Sequence, residues 1–386
     1  MEYKLEDIFD LQMGKTPSRN NPEYWNSEDY KWISIGDLSR CGKYIKDTKE
    51  YLSDKAVEES GISIIPANTV IMSFKLSIGK TAIVPEPMYS NEAIMSFRDK
   101  HVIDLLPDYI YYMFLGRDWD AGTNKAVMGK TLNKATLSKI KVRIHSIADQ
   151  REIVQILDKV NAILESRQLE LEKLDDLIKA RFVEMFGDPN TEELRWQEVN
   201  IGDNCFVTKL AGFEYTNYIH YEEAGDVVMV KAQNVKNGSL NEKELSYISN
   251  EVSDSLPRSQ LAPGDVVMTY VGANIGDVAI INNKHKYHLA PNVAKIRPDG
   301  KVYDSIFFMY LLMMKTDYIM RNSADTAKAA LGMERIRKLK VFVPPLDDQK
   351  QFASFVSQVD KSKAAVQAAL DKAQLLFDSL MQEYFG

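Results

Sequence analysis

The sequence predicts an α+β protein in which two similar mixed α/β domains with twisted sheets are separated by two long antiparallel helices that form an intramolecular coiled coil. Two observations predict this architecture. Two long segments contain neither proline nor glycine and repeat apolar residues at heptad spacing. The whole chain also divides into two related halves, which predicts pseudo-twofold symmetry.

The two heptad segments span Ile147–Phe186 and 347–385. At about 1.5 Å per residue, each predicts a helix of roughly 57 Å, which is longer than the core of a small domain is wide. A helix with an apolar seam needs a helical partner, and each segment provides one for the other. The predicted coiled-coil seam consists of Ile153, Leu157, Val160, Leu164, Leu171, Leu174, Ile178 and Met185 on the first helix, and of Phe352, Val356, Val359, Val366, Leu370, Phe377, Leu380 and Tyr384 on the second.

The internal repeat runs through the chain. KIKV at Lys139 recurs as KLKV at Lys338, 199 positions later, and RFVEMFG recurs as LMQEYFG at the same offset. PANTVIMSFKLSIGKTAI from Pro66 aligns without a gap to PGDVVMTYVGANIGDVAI from Pro263, an offset of 197. Each half is therefore a domain followed by a long helix. The predicted limits are 1–145 and 188–345 for the domains and 146–187 and 346–386 for the helices.

Short strands are predicted within both domains, because β-branched and aromatic residues occur there in runs bounded by Pro, Gly, Asn and Ser. The predicted strands are 30–35, 69–74, 81–84 and 94–97 in the first half, and 227–230, 266–271, 278–281 and 293–296 in the second. Amphipathic helices are predicted at 108–115 and 305–316. Strands followed by helices in each half favour the α+β class.

The composition is that of a globular protein with room for two or three domains, since 45% of its 386 residues are hydrophobic and 27% are charged. Cys41 and Cys205 are the only cysteines, the first residues have no apolar signal core, and the longest apolar run is IFFMYLLMM. These features predict a cytoplasmic protein without a disulfide or a membrane span.

Basic residues are concentrated locally although the net charge is −7. Residues 123–143 contain six basic side chains and no acidic one. Lys125, Lys130 and Lys134 in this run, with Lys328 and Arg335 in the corresponding part of the second half, are predicted to contact DNA phosphates. A solvated face is the alternative, and the absence of acids from the first run favours phosphate contact.

Catalytic and metal-binding patterns are absent from the sequence. GKT occurs three times, but the glycine that a phosphate-binding loop requires five residues earlier is missing each time. The histidines show no metal-ligand spacing, and the glycine-rich turn that would hold a methyl donor is not found. We therefore predict a protein that is not an enzyme by itself, with no catalytic residue, metal or cofactor of its own.

Polar loops at equivalent places in the two halves predict binding instead. FKLSIGK places Lys75, Ser77 and Lys80 in a turn between two strands, and YVGANIGD places Asn274 at the position of Ser77. Lysine and serine can satisfy phosphate oxygens, and asparagine can pair with adenine through two hydrogen bonds. A plain hairpin turn is an equal alternative on spacing alone.

Several motifs in a fixed order resemble the DNA-specificity subunit of Type I restriction-modification enzymes. In the first half these are GKTPSRNNPEYWNSEDYKWISIGDLS from Gly14, FKLSIGK, SNEAI and LSKIKVRIHSIADQREIV, and in the second VKAQNV, APNVAKIRP and KLKVFVPPLDDQKQF. The first motif adds Lys15, Ser18 and Arg19 to the predicted DNA-binding residues. The chain departs from the family pattern where IHSIAD replaces Pro-Pro-Leu before the first helix, and the second domain lacks the TPSRNNPEYW loop.

The resemblance implies that each domain is a target-recognition domain that reads one half of a bipartite site in double-stranded DNA. It implies that the coiled coil sets the spacer and docks two methyltransferase subunits, and that a restriction translocase subunit joins the complex. S-adenosylmethionine, ATP and Mg are expected only on those partners. The alternatives are the specificity subunit of a Type IIB-like system, a coiled-coil scaffold that does not read DNA, and a methyltransferase with a built-in recognition domain.

Overall fold

A computed structural model of the chain describes residues 1–75, 77–119, 124–126, 129–191, 194–236, 238–323 and 330–386. The chain divides into two compact units. Unit 1 comprises Met1–Gln168 together with Gln367–Gly386, and unit 2 comprises Leu169–Val366. Both units combine sheets with helices, which confirms the predicted α+β class. The division between the units cuts both long helices, so the predicted limits between domains and helices stay predictions.

Unit 1 is built on a four-stranded antiparallel sheet. The strands of the unit are β1 (Glu2–Lys4), β2 (Phe9–Met13), β3 (Tyr30–Ile33), β4 (Glu50–Leu52), β5 (Thr69–Ser73), β6 (Thr81–Val84), β7 (Tyr89–Ser90), β8 (Ile94–Asp99), β9 (Asn124–Ala126), β10 (Gly129–Thr131) and β11 (Lys141–Arg143). The main sheet has the order β2-β8-β5-β6, a second sheet has the order β4-β3-β7, and β1-β11 and β9-β10 form separate pairs. Every residue of β5 and β6 is buried, so these strands form the centre of the unit.

The helices of unit 1 pack on these sheets. They are Leu5–Ile8, Ile35–Leu38, Asp54–Ser60, Pro107–Leu115 and Lys134–Ser138, with a 3-10 turn at Pro22–Tyr24. The strand predicted at 30–35 ends at Ile33, because Ser34 caps the helix that follows. The Ser34 hydroxyl accepts a hydrogen bond from the Asp37 backbone N–H at 3.2 Å, and the Asp37 carboxylate accepts one from the Ser34 N–H at 3.0 Å.

Unit 2 repeats the four-stranded antiparallel sheet. Its strands are β12 (Glu198–Asn200), β13 (Cys205–Lys209), β14 (Val227–Val230), β15 (Val235–Lys236), β16 (Ser239–Leu240), β17 (Tyr247–Ile248), β18 (Gln260–Leu261), β19 (Val266–Thr269), β20 (Val278–Ile280), β21 (Lys286–Leu289), β22 (Val293–Pro298) and β23 (Lys340–Phe342). The main sheet has the order β13-β22-β19-β20, the second has the order β17-β14-β21-β18, and β12-β23 and β15-β16 are pairs.

The helices of unit 2 are Gly212–Tyr218, Asn250–Ser255, Ser305–Met314, Thr316–Arg321 and Met333–Lys338, with 3-10 turns at Ala232–Asn234 and Pro257–Ser259. The single helix predicted at 305–316 is interrupted at Lys315. The side chain of Lys315 is buried, and its ammonium group donates to the Pro189 carbonyl at 3.2 Å. A buried ammonium group needs such a partner, and this contact lies where the chain changes direction.

The strand registers reproduce the repeat and correct the ungapped alignment of its central part. Val70 pairs with Phe97 in unit 1, and Val266 pairs with Ile296 in unit 2. These pairs relate β5 to β19 by 196 positions, whereas β8 and β22 are related by 199. The pairings of β6 and β20 keep the predicted offset of 197. The loop after β19 is therefore one residue longer than the loop after β5, and Asn274 has no unique counterpart in unit 1.

The two long helices are continuous. They span Ile147–Phe186 and Leu346–Phe385, and each has 40 residues. The first matches its predicted limits, and the second begins one residue before them. At about 1.5 Å per residue, each is about 60 Å long.

Within unit 1 the two helices run antiparallel. The hydroxyl of Tyr112 donates to the Asp158 carboxylate at 2.6 Å, and the ring of Tyr112 lies 6.3 Å from that of Phe377. His145, which precedes the first helix, lies 6.5 Å from Phe385 between ring centroids. The start of the first long helix therefore lies beside the end of the second, and moving forward along the first helix means moving backward along the second. This is the predicted antiparallel arrangement.

Within unit 2 the remaining parts of these helices are also antiparallel. The rings of Phe182 and Phe352 are 5.4 Å apart, and the ammonium group of Lys363 lies 2.6 Å from the Asp175 carboxylate. The predicted seam residues Ile153, Leu157, Val160, Ile178, Phe352, Val356, Val359 and Val366 are buried, and the other predicted seam residues are half-buried. Phe182, Phe186 and Met381 are buried as well, and they lie outside the predicted seam.

A buried glutamine fixes the start of each long helix. The Gln150 amide nitrogen donates to the carbonyls of Asp104 and His145 at 3.0 and 3.1 Å, and its amide oxygen accepts from the Leu106 N–H at 3.0 Å. Gln349 makes the corresponding three bonds in unit 2, at 2.8 to 3.0 Å. Both side chains are fully buried. The recurring Asp-Gln pair of the sequence therefore joins each long helix to the domain before it.

Candidate nucleic-acid interface

Four segments of unit 1 meet at one edge of the main sheet, where β2 and β5 end and β6 and β8 begin. Three backbone hydrogen bonds join them. Lys15 donates to Ser90 at 2.8 Å, Phe74 donates to Ala93 at 3.1 Å, and Leu132 donates to Phe74 at 3.2 Å. We call the residues 14–19, 74–75, 77–80, 90–93 and 132–134 the unit 1 edge. It brings together the predicted residues of the GKTPSR motif, the FKLSIGK loop and Lys134.

The GKTPSR segment forms an ordered loop at this edge. Lys15, Ser18 and Arg19 are exposed, but two of their side chains are engaged. The Lys15 ammonium group donates to a backbone carbonyl. The Arg19 guanidinium group lies 3.8 Å from the centre of the Trp25 ring and donates to the Glu50 carboxylate at 3.1 Å. The charge of Arg19 is therefore balanced locally, and this side chain holds the loop in place.

The FKLSIGK loop turns sharply at the same edge. The Ser77 N–H donates to the Lys75 carbonyl at 2.8 Å, and Gly79 follows with a φ of +88°. Lys75 and Ser77 are half-buried, whereas Lys80 is exposed and its ammonium group donates to the Ser39 hydroxyl at 2.7 Å. The predicted turn is thus present. It places Lys75 near Glu92, which Thr16 of the GKTPSR loop contacts, and it directs Lys80 toward Ser39.

Glu92 is the acidic side chain of the unit 1 edge. The Thr16 hydroxyl donates to it and lowers the pKa of the carboxyl group, against partial burial, which raises it. The positive charges of Lys75 and Arg19 lower the pKa further. Glu92 is therefore ionised at neutral pH and is used in ordering the loops around it.

The basic run contributes a hairpin and a short helix. Lys125 on β9 pairs with Lys130 on β10. Lys134 is exposed and begins the helix Lys134–Ser138, where the Asn133 side chain accepts from the Thr136 N–H at 2.8 Å. The backbone bond from Leu132 to the end of β5 brings Lys134 to the unit 1 edge.

Unit 2 has an edge of the same construction. Tyr270 donates to the Asn292 carbonyl at 3.0 Å, and Leu331 donates to the Tyr270 carbonyl at 2.8 Å, as Ala93 and Leu132 bond to Phe74 in unit 1. We call the residues 209–217, 270–277, 290–292 and 330–335 the unit 2 edge. The same backbone framework therefore carries two different sets of side chains.

Two of the three predicted residues of unit 2, Asn274 and Arg335, lie at this second edge. Asn274 is exposed in the loop between β19 and β20, where its carbonyl accepts from the Asp277 N–H at 3.1 Å. Arg335 is exposed on the helix Met333–Lys338, and its guanidinium group donates to the Asn322 carbonyl at 3.4 Å. Lys328 lies outside the described residues.

The sequence analysis did not single out a cleft next to the unit 1 edge that is rich in basic residues. It has a volume of about 650 Å³, and its lining includes the basic residues Arg40, Lys43, Lys46 and Lys49 together with the acids Asp37, Asp47 and Glu165. Lys46 and Lys49 are exposed, whereas the ammonium group of Lys43 is held by two carboxylates. Four basic residues within ten positions were a usable signal, but the acids Asp37 and Asp47 in the same segment concealed it.

Within the described ranges, no group of three or more His, Cys, Asp and Glu side chains is arranged to hold a metal ion. A membrane-crossing helix, which must be both long and apolar, is not found in this part of the chain either.

The comparison with known families decides the assignment. A model described as the Type I restriction modification DNA specificity domain matches residues 1–173 and again residues 193–373. The chain belongs to this family. The two matches correspond to the two halves of the repeat, so the resemblance read from the sequence motifs is confirmed.

Similar proteins carry the same assignment. The chain is 26% identical over 373 residues to the specificity subunit of the Type I restriction enzyme MjaIX from Methanocaldococcus jannaschii, with 92% of the chain and 85% of the relative covered. It is 22% identical over 378 residues to the EcoprrI specificity subunit from Escherichia coli, with coverage of 92% and 86%. Both alignments extend through both halves of the internal repeat of this chain.

Solved structures confirm the fold. The S subunit of a Type I restriction-modification system from M. genitalium matches with a TM-score of 0.56 and 12% identity, over 100% of this chain and 96% of that one. A chain from a structural study of assembly and conformational transition of the type I R-M system matches with a TM-score of 0.60 and 15% identity, over 100% and 97%. At identities this low, the comparisons show the shared fold and do not identify individual DNA-binding side chains in this chain.

Proposed function

We propose that this chain is the sequence-specific DNA-recognition subunit of a Type I restriction-modification complex. Each unit reads one half of a bipartite site in double-stranded DNA. The observation that carries this proposal is the duplicated edge, in which two equivalent backbone hydrogen bonds support different exposed side chains. Two readers with one framework and different surfaces can recognise two different short sequences.

The side-chain differences fall where base or phosphate contacts are made. The loop of unit 1 carries Lys75, Ser77 and Lys80, whereas the loop of unit 2 carries Asn274 and ends at Asp277. Lysine favours phosphates and guanine, and asparagine favours adenine. The unit 1 edge therefore relies more on phosphate contact than the unit 2 edge, with Lys15, Lys134 and the hairpin lysines adding positive charge.

The long helices set the spacer between the half-sites in this proposal. Each helix is continuous and contributes one part to unit 1 and the other to unit 2. Inserting four residues into both helices lengthens each by about 6 Å, which corresponds to nearly two base pairs at roughly 3.4 Å per pair. The recognised spacer is expected to lengthen accordingly.

Two methyltransferase subunits dock on the long helices, and a restriction translocase subunit completes the complex. Apolar side chains that remain exposed on the helices support docking, since Ile163, Leu375 and Leu376 expose 48%, 70% and 51% of their surface. Leu169, Leu177 and Val183 are exposed in the part that belongs to unit 2. Methylation and cleavage, with S-adenosylmethionine, ATP and Mg, belong to those partners, and this chain contributes no catalytic residue.

The proposal is tested by mapping the modified bases of DNA that the reconstituted complex has methylated. A bipartite motif with a fixed spacer is expected. Exchanging residues 1–145 for another recognition domain should change one half-site only. A complex that modifies DNA without a bipartite motif would refute the proposal and favour a scaffold that does not read DNA.

A further inference from the structure

A short helix in unit 2, Gly212–Tyr218, takes the place that the GKTPSR loop has in unit 1. It begins three residues after Lys209, where β13 ends, and β13 occupies the same position in its sheet as β2 does in unit 1. No sequence motif singled out this helix, because the second domain lacks the TPSRNNPEYW loop found in the first. Its position at the unit 2 edge is the starting point of an inference that rests on the proposed function.

Exposed aromatic side chains are concentrated around this helix. Phe206, Phe213, Tyr218 and Tyr221 expose 52%, 65%, 49% and 42% of their surface. Among the described residues, Tyr44 is the one other aromatic side chain with comparable exposure. Single exposed apolar residues are ordinary, but a group of four within sixteen positions marks a contact surface.

The helix is fixed in one orientation. Tyr215 packs against the core of unit 2, and the Glu214 carboxylate accepts from the Ala211 N–H at 2.9 Å and from the Arg258 guanidinium group at 3.2 Å. Successive residues of a helix are rotated by about 100°, so the face opposite Tyr215 lies between Phe213 and residue 217. That face points away from the core.

Asn217 shares the outward face with Phe213, and both side chains are exposed. The charges around this face favour a polyanion at one end. Arg258 balances Glu214, which is the helix's one acidic residue, and the exposed Lys209 precedes the helix. Along the chain, the next acid after the helix is Glu222, which pairs with a strand of the second sheet. The unit 2 edge also contains Asp277 and Glu334, and Glu334 is paired with Arg337.

The dimensions of this face fit the major groove. A helix is about 10–12 Å across, and the major groove is about 12 Å wide. Phe213 and Asn217 are separated by about 6 Å along the axis, which is somewhat less than two base-pair steps of about 3.4 Å. An asparagine amide pairs with the N6 and N7 atoms of adenine, and an aromatic ring packs on the methyl group of thymine.

We infer that the helix Gly212–Tyr218 is a recognition helix that reads A·T pairs in the half-site recognised by unit 2. Asn217 pairs with an adenine, and Phe213 contacts a thymine methyl group one or two base pairs away. The occupant is double-stranded DNA, and the two residues determine specificity at two defined positions of one half-site.

The test compares the complexes of the unaltered chain and of Asn217→Ala and Phe213→Ala, each with its methyltransferase subunits, on a randomised duplex library. Asn217→Ala is expected to lower discrimination at one A·T pair by about 5-fold to 150-fold, and Phe213→Ala to relax a neighbouring pair. Asn283→Ala is the matched control, because this exposed asparagine lies beyond the opposite end of β20 from the Asn274 loop. Thermal unfolding checks that each variant is folded.

The outcomes separate the recognition helix from the proposed function. If the unaltered complex selects no bipartite site, the proposed function fails and the inference fails with it. If it selects a bipartite site that neither substitution changes, the recognition helix is refuted and the proposed function stands. A change in both half-sites, or an equal change with Asn283→Ala, also refutes the inference. Replacing thymine by uracil at the relaxed pair should reproduce the Phe213→Ala effect, because uracil lacks the methyl group.

Discussion

The buried amide of Gln150 provides a quantitative test of how the long helix is joined to unit 1. Gln150→Leu removes three hydrogen bonds but keeps a side chain of similar size. The Leu106 N–H loses its acceptor in a buried setting, and two carbonyl groups lose a donor. A buried group left without a partner costs about 1–3 kcal/mol.

The expected loss of unfolding free energy is about 2–4 kcal/mol, because carbonyl groups tolerate a missing partner better than N–H groups do. Urea unfolding followed by tryptophan fluorescence measures this loss, since Trp25, Trp32 and Trp119 lie in unit 1. Hydrogen exchange at the Leu106 amide should also accelerate. Gln155→Leu is the matched control, because Gln155 is exposed on the same helix and its replacement should change stability by no more than about 0.5 kcal/mol.

Equal effects of the two leucine substitutions would refute the reasoning, because the buried hydrogen bonds would then contribute nothing measurable. Gln349→Leu repeats the experiment in unit 2, where the same three bonds are present. A similar loss is expected there, reported by Trp196.

Three further predictions concern charge. The ammonium group of Lys43 donates to Asp158 and lies 2.5 Å from the Asp108 carboxylate. Burial raises the pKa of Asp108, but the hydrogen bonds from Lys43 and Tyr44 lower it by more, so the net pKa is lowered. Lys43→Met should therefore destabilise unit 1 most at neutral pH, and the difference in Tm should shrink as the pH falls below about 4; a pH-independent difference would contradict the ion pair. Burial lowers the pKa of His288, so the stability of unit 2 should fall as the pH drops below about 6.5. His288→Phe should reduce this fall in thermal melts monitored by Trp196 fluorescence. A variant whose stability depends on pH as steeply as that of the unaltered chain would show that another group titrates. Replacing Lys125, Lys130 and Lys134 with alanine should weaken DNA binding by the complex at all sequences and lower the slope of log K against log salt by about 0.9 for each lost phosphate contact; an unaltered slope would exclude these contacts.

The long helices could be predicted almost to the residue because their signal is local. Heptad spacing persists for 40 residues in each, and Gly187 ends the first with a φ of +86°. The buried residues Phe182 and Phe186 were missed from the seam, because they pack on the helix Ser305–Met314 and the second long helix together. A heptad pattern predicts contacts between two helices, but at Phe182 and Phe186 three helices pack together.

Most of the predicted binding residues lie at two edges, whereas Lys125 and Lys130 lie on the β9–β10 hairpin and Lys328 lies outside the described residues. Their roles stay predictions, and their individual surroundings could not be predicted. The Arg19 guanidinium group donates to the Glu50 carboxylate, which lies 31 positions later, and no local sequence pattern predicts a pair at that separation. The extra residue in the loop of Asn274 was also invisible, since an ungapped alignment of apolar residues looks equally good with the strand shifted by one. Register is set by cross-strand pairing, which depends on the folded sheet.

The division of both long helices between the units has a consequence for synthesis on the ribosome. Met381 is part of the apolar core of unit 1, although the other buried residues of that core come from positions 5–157. Roughly two hundred later residues must be translated before the N-terminal half can bury its last apolar surface. Until then a nascent chain exposes apolar residues of the unit 1 core to solvent. A premature stop codon shortly before residue 367 deletes only the last part of the second long helix, but it should also destabilise the N-terminal part of unit 1.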